Sequence, residues 1–340
     1  MKPSFWTGFA RERLAGTLWK PEIPKGEAMT NRREFLGTAI AAAAATLIDN
    51  PLALATTPAP GMKDAIATRR IPSSGEQVPV IGLGTSGSFE IGSSAAERDP
   101  RREVLRRFLA AGASLIDTSP SYSTAEVVIG DLLAELKMRD KAFLATKLSG
   151  VVGRDAGLAQ FNASLKRLQT DHVELLQVHN LGDWKTQLAL ARELKAEGKV
   201  RYVGLTHYLD RAQDDLADAV AESKPDFLQI NYSVTHRDAE KRVFPMARDL
   251  GVAVLANRNF DDGNLFSRVK DKALPGWAAE VGATSWAQLF LRFALSDPAV
   301  TVVIPATGKP DRESDNLKAG VATMLDAAQR ASLIAAVENA

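Results

Sequence analysis

From position 68 onward the chain alternates two kinds of stretch. Short apolar runs such as LID, FLATK and LLQVH are separated by longer segments whose apolar residues recur every three or four positions. The first kind fits strands buried on both faces, and the second fits helices that cover them. Read in order, the pattern predicts strand 78–84, helix 101–111, strand 114–117, helix 126–136, strand 142–146, helix 157–168, strand 173–178 and helix 186–197. It continues with strand 202–205, helix 212–223, strand 227–230, helix 239–250, strand 252–255, helix 285–294, strand 300–304 and helix 312–320. Ahead of these, RRI, the turn residues Ser73-Ser74-Gly75 and VPV predict a small β-hairpin.

Strict alternation implies parallel strands joined by right-handed helical crossovers. Eight such units in roughly 250 residues fit an α/β fold of the closed (β/α)8 TIM barrel type, with the hairpin as an N-terminal addition. The rival is an open doubly wound sheet, because Gly82-Leu83-Gly84-Thr85-Ser86-Gly87 has the spacing G-x-G-x-x-G. A dinucleotide fingerprint of that kind needs a helix to open on the turn. The following SFEIGSSAAERDP shows no helical apolar period. The barrel is therefore the expectation.

Composition narrows the chemistry. In 340 residues, 45% are apolar and the formal net charge is +1, so the chain can fill a core and projects no single-sign field toward nucleic acid or an anionic membrane. The absence of cysteine removes disulfides, thiolate nucleophiles and zinc-thiolate sites together. None of the four histidines is spaced as one of a metal-binding pair. A small neutral or cofactor-sized partner fits best.

Residues 1–55 read as a segment apart from the fold. TNRREFLG places Arg32-Arg33 ahead of Phe35-Leu36, the alanine-rich TAIAAAAATLI follows, and Ala53 to Ala55 offer a small-x-small cleavage site. The apolar stretch is too short to span a bilayer as a permanent helix. The pattern is that of a twin-arginine export signal, with Met29 as a second candidate start. The expected organisation is this signal, a linker at 56–67 and the barrel domain at 68–340, exported to the periplasm by the twin-arginine translocation machinery.

In a barrel of this type chemistry sits where strands end. Those ends carry Thr85, Asp117 with Tyr122, Lys147, His179, Thr206 with His207, Gln229 with Asn231, Asn257 with Arg258, and Pro305 to Thr307. Asp117 and Lys147 each directly follow an apolar run, so burial of either alone would be costly, and pairing offsets much of that cost. Such a pair acts naturally on a phenol: tyrosine titrates near ~10, and a neighbouring ammonium lowers that value. Tyr122 becomes a candidate general acid and His179 a neutral donor that positions a carbonyl oxygen.

These residues resemble the aldo-keto reductase family. Its motifs D-x-x-x-x-Y, a T-K strand end and L-x-x-H-N correspond to Asp117 and Tyr122, Lys147, and His179 with Asn180, and the resemblance covers about residues 68–320. It implies that Asp117, Tyr122, Lys147 and His179 are the catalytic tetrad, that NADPH supplies a hydride, and that the substrate is a small-molecule aldehyde or ketone. Gln229 in FLQINYS resembles a ligand of the nicotinamide carboxamide. IPATGKPDRESDN resembles the family's motif for the adenosine phosphate end, with Thr307, Lys309 and Arg312 at a 2′-phosphate and Asp315 and Asn316 at the adenine. An arginine fork suits phosphate because it donates two hydrogen bonds at once.

The chain also departs from the family. Thr206 and His207 stand where Ser-Asn usually contacts the carboxamide, and ANRNF puts Asn257 and Arg258 where an aromatic ring commonly faces the nicotinamide. An arginine plane is the candidate for that face. The loop NLGDW is brief and little chain follows the last predicted helix, which suggests an open pocket for bulky or varied carbonyl compounds, with Phe89, Trp184 and Trp277 as candidate walls. Two other functions compete: a nicotinamide-nucleotide-binding regulatory protein with slow turnover, and a Schiff-base lyase acting through Lys147.

Overall fold

The computed structural model describes residues 65–321 and 323–339. The arginine pair and the small-x-small site lie outside the described residues. The hairpin is present as β1 (Thr68–Arg70) and β2 (Gln77–Pro79), paired antiparallel, with Gly75 N–H donating back to Ile71 O at 2.8 Å to close the turn. The barrel strands are β3 (Leu83–Gly84), β4 (Leu115–Asp117), β5 (Phe143–Leu148), β6 (Val173–His179), β7 (Val200–Thr206), β8 (Phe227–Asn231), β9 (Ala253–Asn257) and β10 (Val300–Val303). Between and after them run α1 (Ala95–Ala110), α2 (Ala125–Leu136), α3 (Arg154–Leu168), α4 (Trp184–Ala196), α5 (Gln213–Ser223), α6 (Val243–Leu250), α7 (Asn264–Arg268), α8 (Trp286–Leu295), α9 (Pro310–Lys318) and α10 (Ala327–Glu338).

Strands β3 to β10 pair in sequence order, all parallel. Bridges Ile81↔Val303 and Gly84↔Ala306 join the two ends, so the sheet closes into a barrel rather than opening as a doubly wound sheet. Gly84 makes that closure possible, because a Cβ there would lie 2.8 Å from Ile304 O. No helix opens on the Gly82 to Gly87 turn, in keeping with the reading of that spacing as chance.

Successive strand residues point to opposite faces, so each strand contributes one set of side chains to the interior and another to the helices. The interior set includes Leu115, Phe143, Ala145, Leu175, Tyr202, Phe227, Leu255 and Ile304. Ile71 and Val78 of the hairpin belong to the same cluster, which places the hairpin as a plug at the strand starts. Counting on in twos from Leu115, Ala145, Leu175 and Phe227 reaches Asp117, Lys147, Gln177 with His179, and Gln229. The interior is thus apolar at the plugged end and polar at the other.

Two elements differ from the sequence expectation. Helix α1 begins at Ala95 rather than 101, started by Ser94, whose hydroxyl accepts from the Glu97 N–H. Its first turn is exposed, so no apolar period marks it. Helix α10 follows the last predicted helix, entered through a reciprocal Asp326 and Gln329 capping box. It buries only Leu333 and Val337, too sparse a stripe to stand out in sequence. At the other end Ala67 N–H donates to Gly320 O at 2.8 Å and Ile66 packs in the outer core, so part of the expected linker belongs to the barrel. Among the described residues no helix is long and apolar enough to cross a membrane.

Candidate active site

The turn between β4 and α2 carries the phenol. Thr118 N–H extends the ladder to Ala145 O at 2.8 Å, and the chain then reverses through Pro120, with Tyr122 N–H donating to Ser119 O at 3.0 Å and Ala125 N–H to Tyr122 O at 2.8 Å. Tyr122 is thereby fixed above the end of β4 and β5. Lys147, wholly buried on β5, donates from Nζ to Asp117 Oδ2 at 2.6 Å and to Thr118 O at 2.8 Å, and the same ammonium lies 5.0 Å from the Tyr122 ring centroid. His179, the last residue of β6, stands edge-on to Tyr122 with ring centroids 5.8 Å apart. The four tetrad candidates therefore converge at one mouth of the barrel.

Each is tuned by its surroundings. Burial works against the Lys147 ammonium, but Asp117, then Tyr122, outweigh it, and the pKa is raised. Burial also dominates at Tyr122 and holds the hydroxyl above the ordinary tyrosine range, with Lys147 pulling the other way. The lowering by Lys147 expected from sequence is present but outweighed. Burial, then the Lys147 charge, pull His179 down to about 4, so the ring is neutral at pH 7. Its Nδ1 is 2.8 Å from Ser149 Oγ, with Ser119 Oγ at 3.3 Å and Ser121 Oγ at 3.4 Å. Assigning that nitrogen as the acceptor leaves Nε2–H to point into the open space. Lys147, enclosed and ion-paired, is not placed as a nucleophile.

A cleft of about 1140 Å³ runs from this cluster across the strand ends to α9. Asp117, Tyr122, His179, Thr206, Gln229, Arg258, Thr307, Arg312, Asp315 and Asn316 all line it, while His207 and Lys309 do not. Gln229 donates from Nε2 to Asp117 Oδ1 at 2.9 Å and accepts at Oε1 from Asn257 Nδ2 at 3.1 Å. His207 turns its Nδ1 onto the Tyr208 and Leu209 N–H groups at 2.9 and 3.2 Å. Arg258 lies 4.5 Å over the Tyr208 ring and pairs with Asp262 at 2.8 Å. Asp315 accepts from Ser285 Oγ at 2.5 Å and Gln288 Nε2 at 2.6 Å, which ties α9 to α8.

Residues 80–338 match the sequence profile of the Aldo/keto reductase family. The chain belongs to that family. It is 30% identical over 223 residues to the aldo-keto reductase YhdN of Bacillus subtilis, covering 59% of this chain and 64% of that protein. It is 26% identical over 198 residues to the NADH-specific methylglyoxal reductase of Escherichia coli, covering 49% of this chain and 58% of that one. The chain thus spans less than two thirds of the length of either relative. Among solved structures, an aldo-keto reductase from Klebsiella pneumoniae in complex with NADPH is similar with a TM-score of 0.66 and 25% identity over 79% of this chain and 94% of that one. The aldo-keto reductase AKR11C1 from Bacillus halodurans shares the fold with a TM-score of 0.64 and 23% identity over 81% of this chain and 97% of that one.

Within this aldo/keto reductase, several cleft residues escaped the sequence reading. Tyr208, Asn259, Phe260, Phe266, Ser285 and Trp286 all line the cleft, whereas the expected walls Phe89, Trp184 and Trp277 do not. Phe89 is fully buried, and Trp277 directs its indole N–H to Ser332 Oγ at 3.0 Å. Gln177 was also missed, although its position two residues before His179 on the same strand face is a usable signal.

Proposed function

We propose that this aldo/keto reductase reduces a small aldehyde or ketone with NADPH, using Tyr122 as general acid. The observation that carries the reading is the Lys147 ammonium, 5.0 Å from the Tyr122 ring and 2.6 Å from Asp117, enclosed behind these two residues where they line a cleft of about 1140 Å³. Asn257 Oδ1 and Asn259 Oδ1 are buried without a partner, and both residues line that cleft, so they fit the amide and hydroxyl donors of such a cofactor. Bound there, a reduced nicotinamide supplies a hydride to the carbonyl carbon.

The protein's own groups then handle the oxygen. Tyr122 O–H passes its proton to the carbonyl oxygen as charge develops, and Lys147 stabilises the phenolate left behind. Asp117 keeps the ammonium charged and aimed. Neutral His179 donates from Nε2 to the same oxygen and fixes its position. Exposed Arg312 beside buried Thr307 favours a 2′-phosphate, and hence NADPH.

The experiment is NADPH absorbance followed against a panel of aldehydes, quinones and ketosugars. Carbonyl-dependent oxidation is expected. Stoichiometric nucleotide binding with no oxidation by any of them would refute the reductase and favour a regulatory nucleotide-binding protein. The proposal extends to export: the Arg32-Arg33 motif supports passage of the folded chain with nucleotide bound. Replacing both arginines by lysine should hold the protein in the cytoplasm, and unaltered export would refute that part.

A further inference from the structure

A layer of amides lies directly beneath the tetrad. Gln177, on β6 and wholly buried, donates from Nε2 to Asp117 Oδ1 at 3.0 Å. Gln229 donates to the same oxygen at 2.9 Å and to Gln177 Oε1 at 3.2 Å. A carboxylate only accepts, so these contacts fix the orientation of both amides, nitrogen toward Asp117. The two carboxylate oxygens are thereby divided: Oδ1 takes two amide donors and Oδ2 takes Lys147 Nζ at 2.6 Å. Space for this arrangement comes from Gly204 on β7, where a Cβ would stand 3.0 Å from Gln177 Cγ.

We propose that Gln177 is a positioning residue for the reduction, locking the rotation of the Asp117 carboxylate so that one oxygen always faces Lys147. The inference rests on the catalytic reading above. Gln177 touches neither the cleft nor the reacting atoms; it acts on Asp117 directly and, by accepting from Gln229 Nε2, steadies the second donor to the same carboxylate oxygen. Without its bond the carboxylate is held at Oδ1 by Gln229 alone and turns away part of the time. The enclosed ammonium then loses a share of the partner that outweighs its burial, and it releases its proton more readily.

The test uses Gln177→Met, which keeps the side-chain length and removes both the donor to Asp117 and the acceptor for Gln229, with Gln177→Leu as a second variant should the first fail to fold. Turnover should fall on the order of tenfold, as expected for a lost hydrogen bond to a charged group, with the Kd for NADPH unchanged. The alkaline limb of the kcat profile should move to lower pH by about one unit. Nitrogen NMR of the Lys147 ammonium should show the same downward displacement. A purely structural role would lower the melting temperature without moving either titration, and that result overturns the proposal. The NMR readout needs no turnover, so it decides the role of Gln177 even if the wild-type protein reduces no carbonyl compound.

Discussion

Replacing Glu313 by glutamine should make the protein's stability less dependent on pH, and the size of the effect follows from one buried carboxyl group. Glu313 lies in the first turn of α9 on the face shared with Asn316 and Leu317, wholly buried, with neither carboxylate oxygen partnered. Burial pushes its pKa from 4.5 up to about 8. Between those values the folded state keeps the proton while the unfolded chain has released it. The unfolded state then binds fewer protons, so stability falls as pH rises across this window and levels off above it.

At about 1.4 kcal/mol per pH unit, the full shift corresponds to roughly 5 kcal/mol. Free N–H groups at the start of α9 favour the anion by about 0.3–1 kcal/mol, which brings the expectation to about 4 kcal/mol. Glutamine removes the titration while keeping a buried polar group, so its own burial cost is a constant offset. Urea unfolding followed by tryptophan fluorescence at pH 5, 6, 7 and 8 gives the difference between variant and wild type at each pH, in which other titrating groups cancel. That difference should grow in favour of Glu313→Gln with every step. A constant separation from pH 5 to 8 would mean that Glu313 is solvated or paired and that the reasoning is wrong.

Tyr122→Phe should abolish turnover and leave the Kd for NADPH within about twofold, because only the proton donor is lost; retention of most of the rate in stopped-flow oxidation would remove Tyr122 from the acid role. Arg312→Ala should weaken NADPH by about 1.5–3 kcal/mol and NADH far less, as fluorescence titration can read, and equal losses would place the guanidinium away from the 2′-phosphate. His236 links three strand-end loops, with Nδ1 2.5 Å from Asp210 Oδ2 and Nε2 3.1 Å from Asp261 Oδ1. Burial opposes its charge but the two carboxylates prevail, so its pKa is raised above 6.5. The stabilisation is therefore complete below that value and lost as pH rises through the raised one. Limited proteolysis of the loop holding Asp261 should accelerate over that range in wild type and show no such pH dependence in His236→Gln.

The barrel was legible because its strands are buried on both faces and its helices carry apolar stripes, which are different periods in one sequence. The convergence of Asp117, Tyr122, Lys147 and His179 was legible because a charged residue directly after an apolar run has few places to go. Elements with weak stripes were not: the exposed start of α1 and the sparsely buried α10 carry their signal in caps rather than in period. Cleft residues outside the predicted elements, such as Tyr208 in a loop and Phe266 on the five-residue α7, were hidden for a related reason, since neither setting is long or regular enough to show a repeat. His236 carries no signal in the sequence because its partners, Asp210 and Asp261, come from two other loops. Gln177 was hidden differently. It lies in a strand that was read correctly, but polar interior residues become visible only when strand parity is counted from the apolar end.

A buried ion pair is poor evidence of stability, since apolar residues of similar volume often do as well or better in its place. The barrel interior could have continued as it begins, with Leu115, Ala145, Leu175 and Phe227, yet its next inward layer is Asp117, Lys147, Gln177 and Gln229. What that layer does for the site is set the charge state around Tyr122. Burial keeps the phenol protonated and Asp117 keeps the ammonium charged, so on the proposed chemistry the proton to be given and the charge that would receive the resulting phenolate are both in place before any ligand binds. That is the state carbonyl reduction requires. Alcohol oxidation requires the opposite state, a phenolate ready to accept, and a raised tyrosine pKa makes that state scarce at neutral pH. On the proposed chemistry, the geometry therefore favours reduction at neutral pH and reserves appreciable oxidation for alkaline conditions.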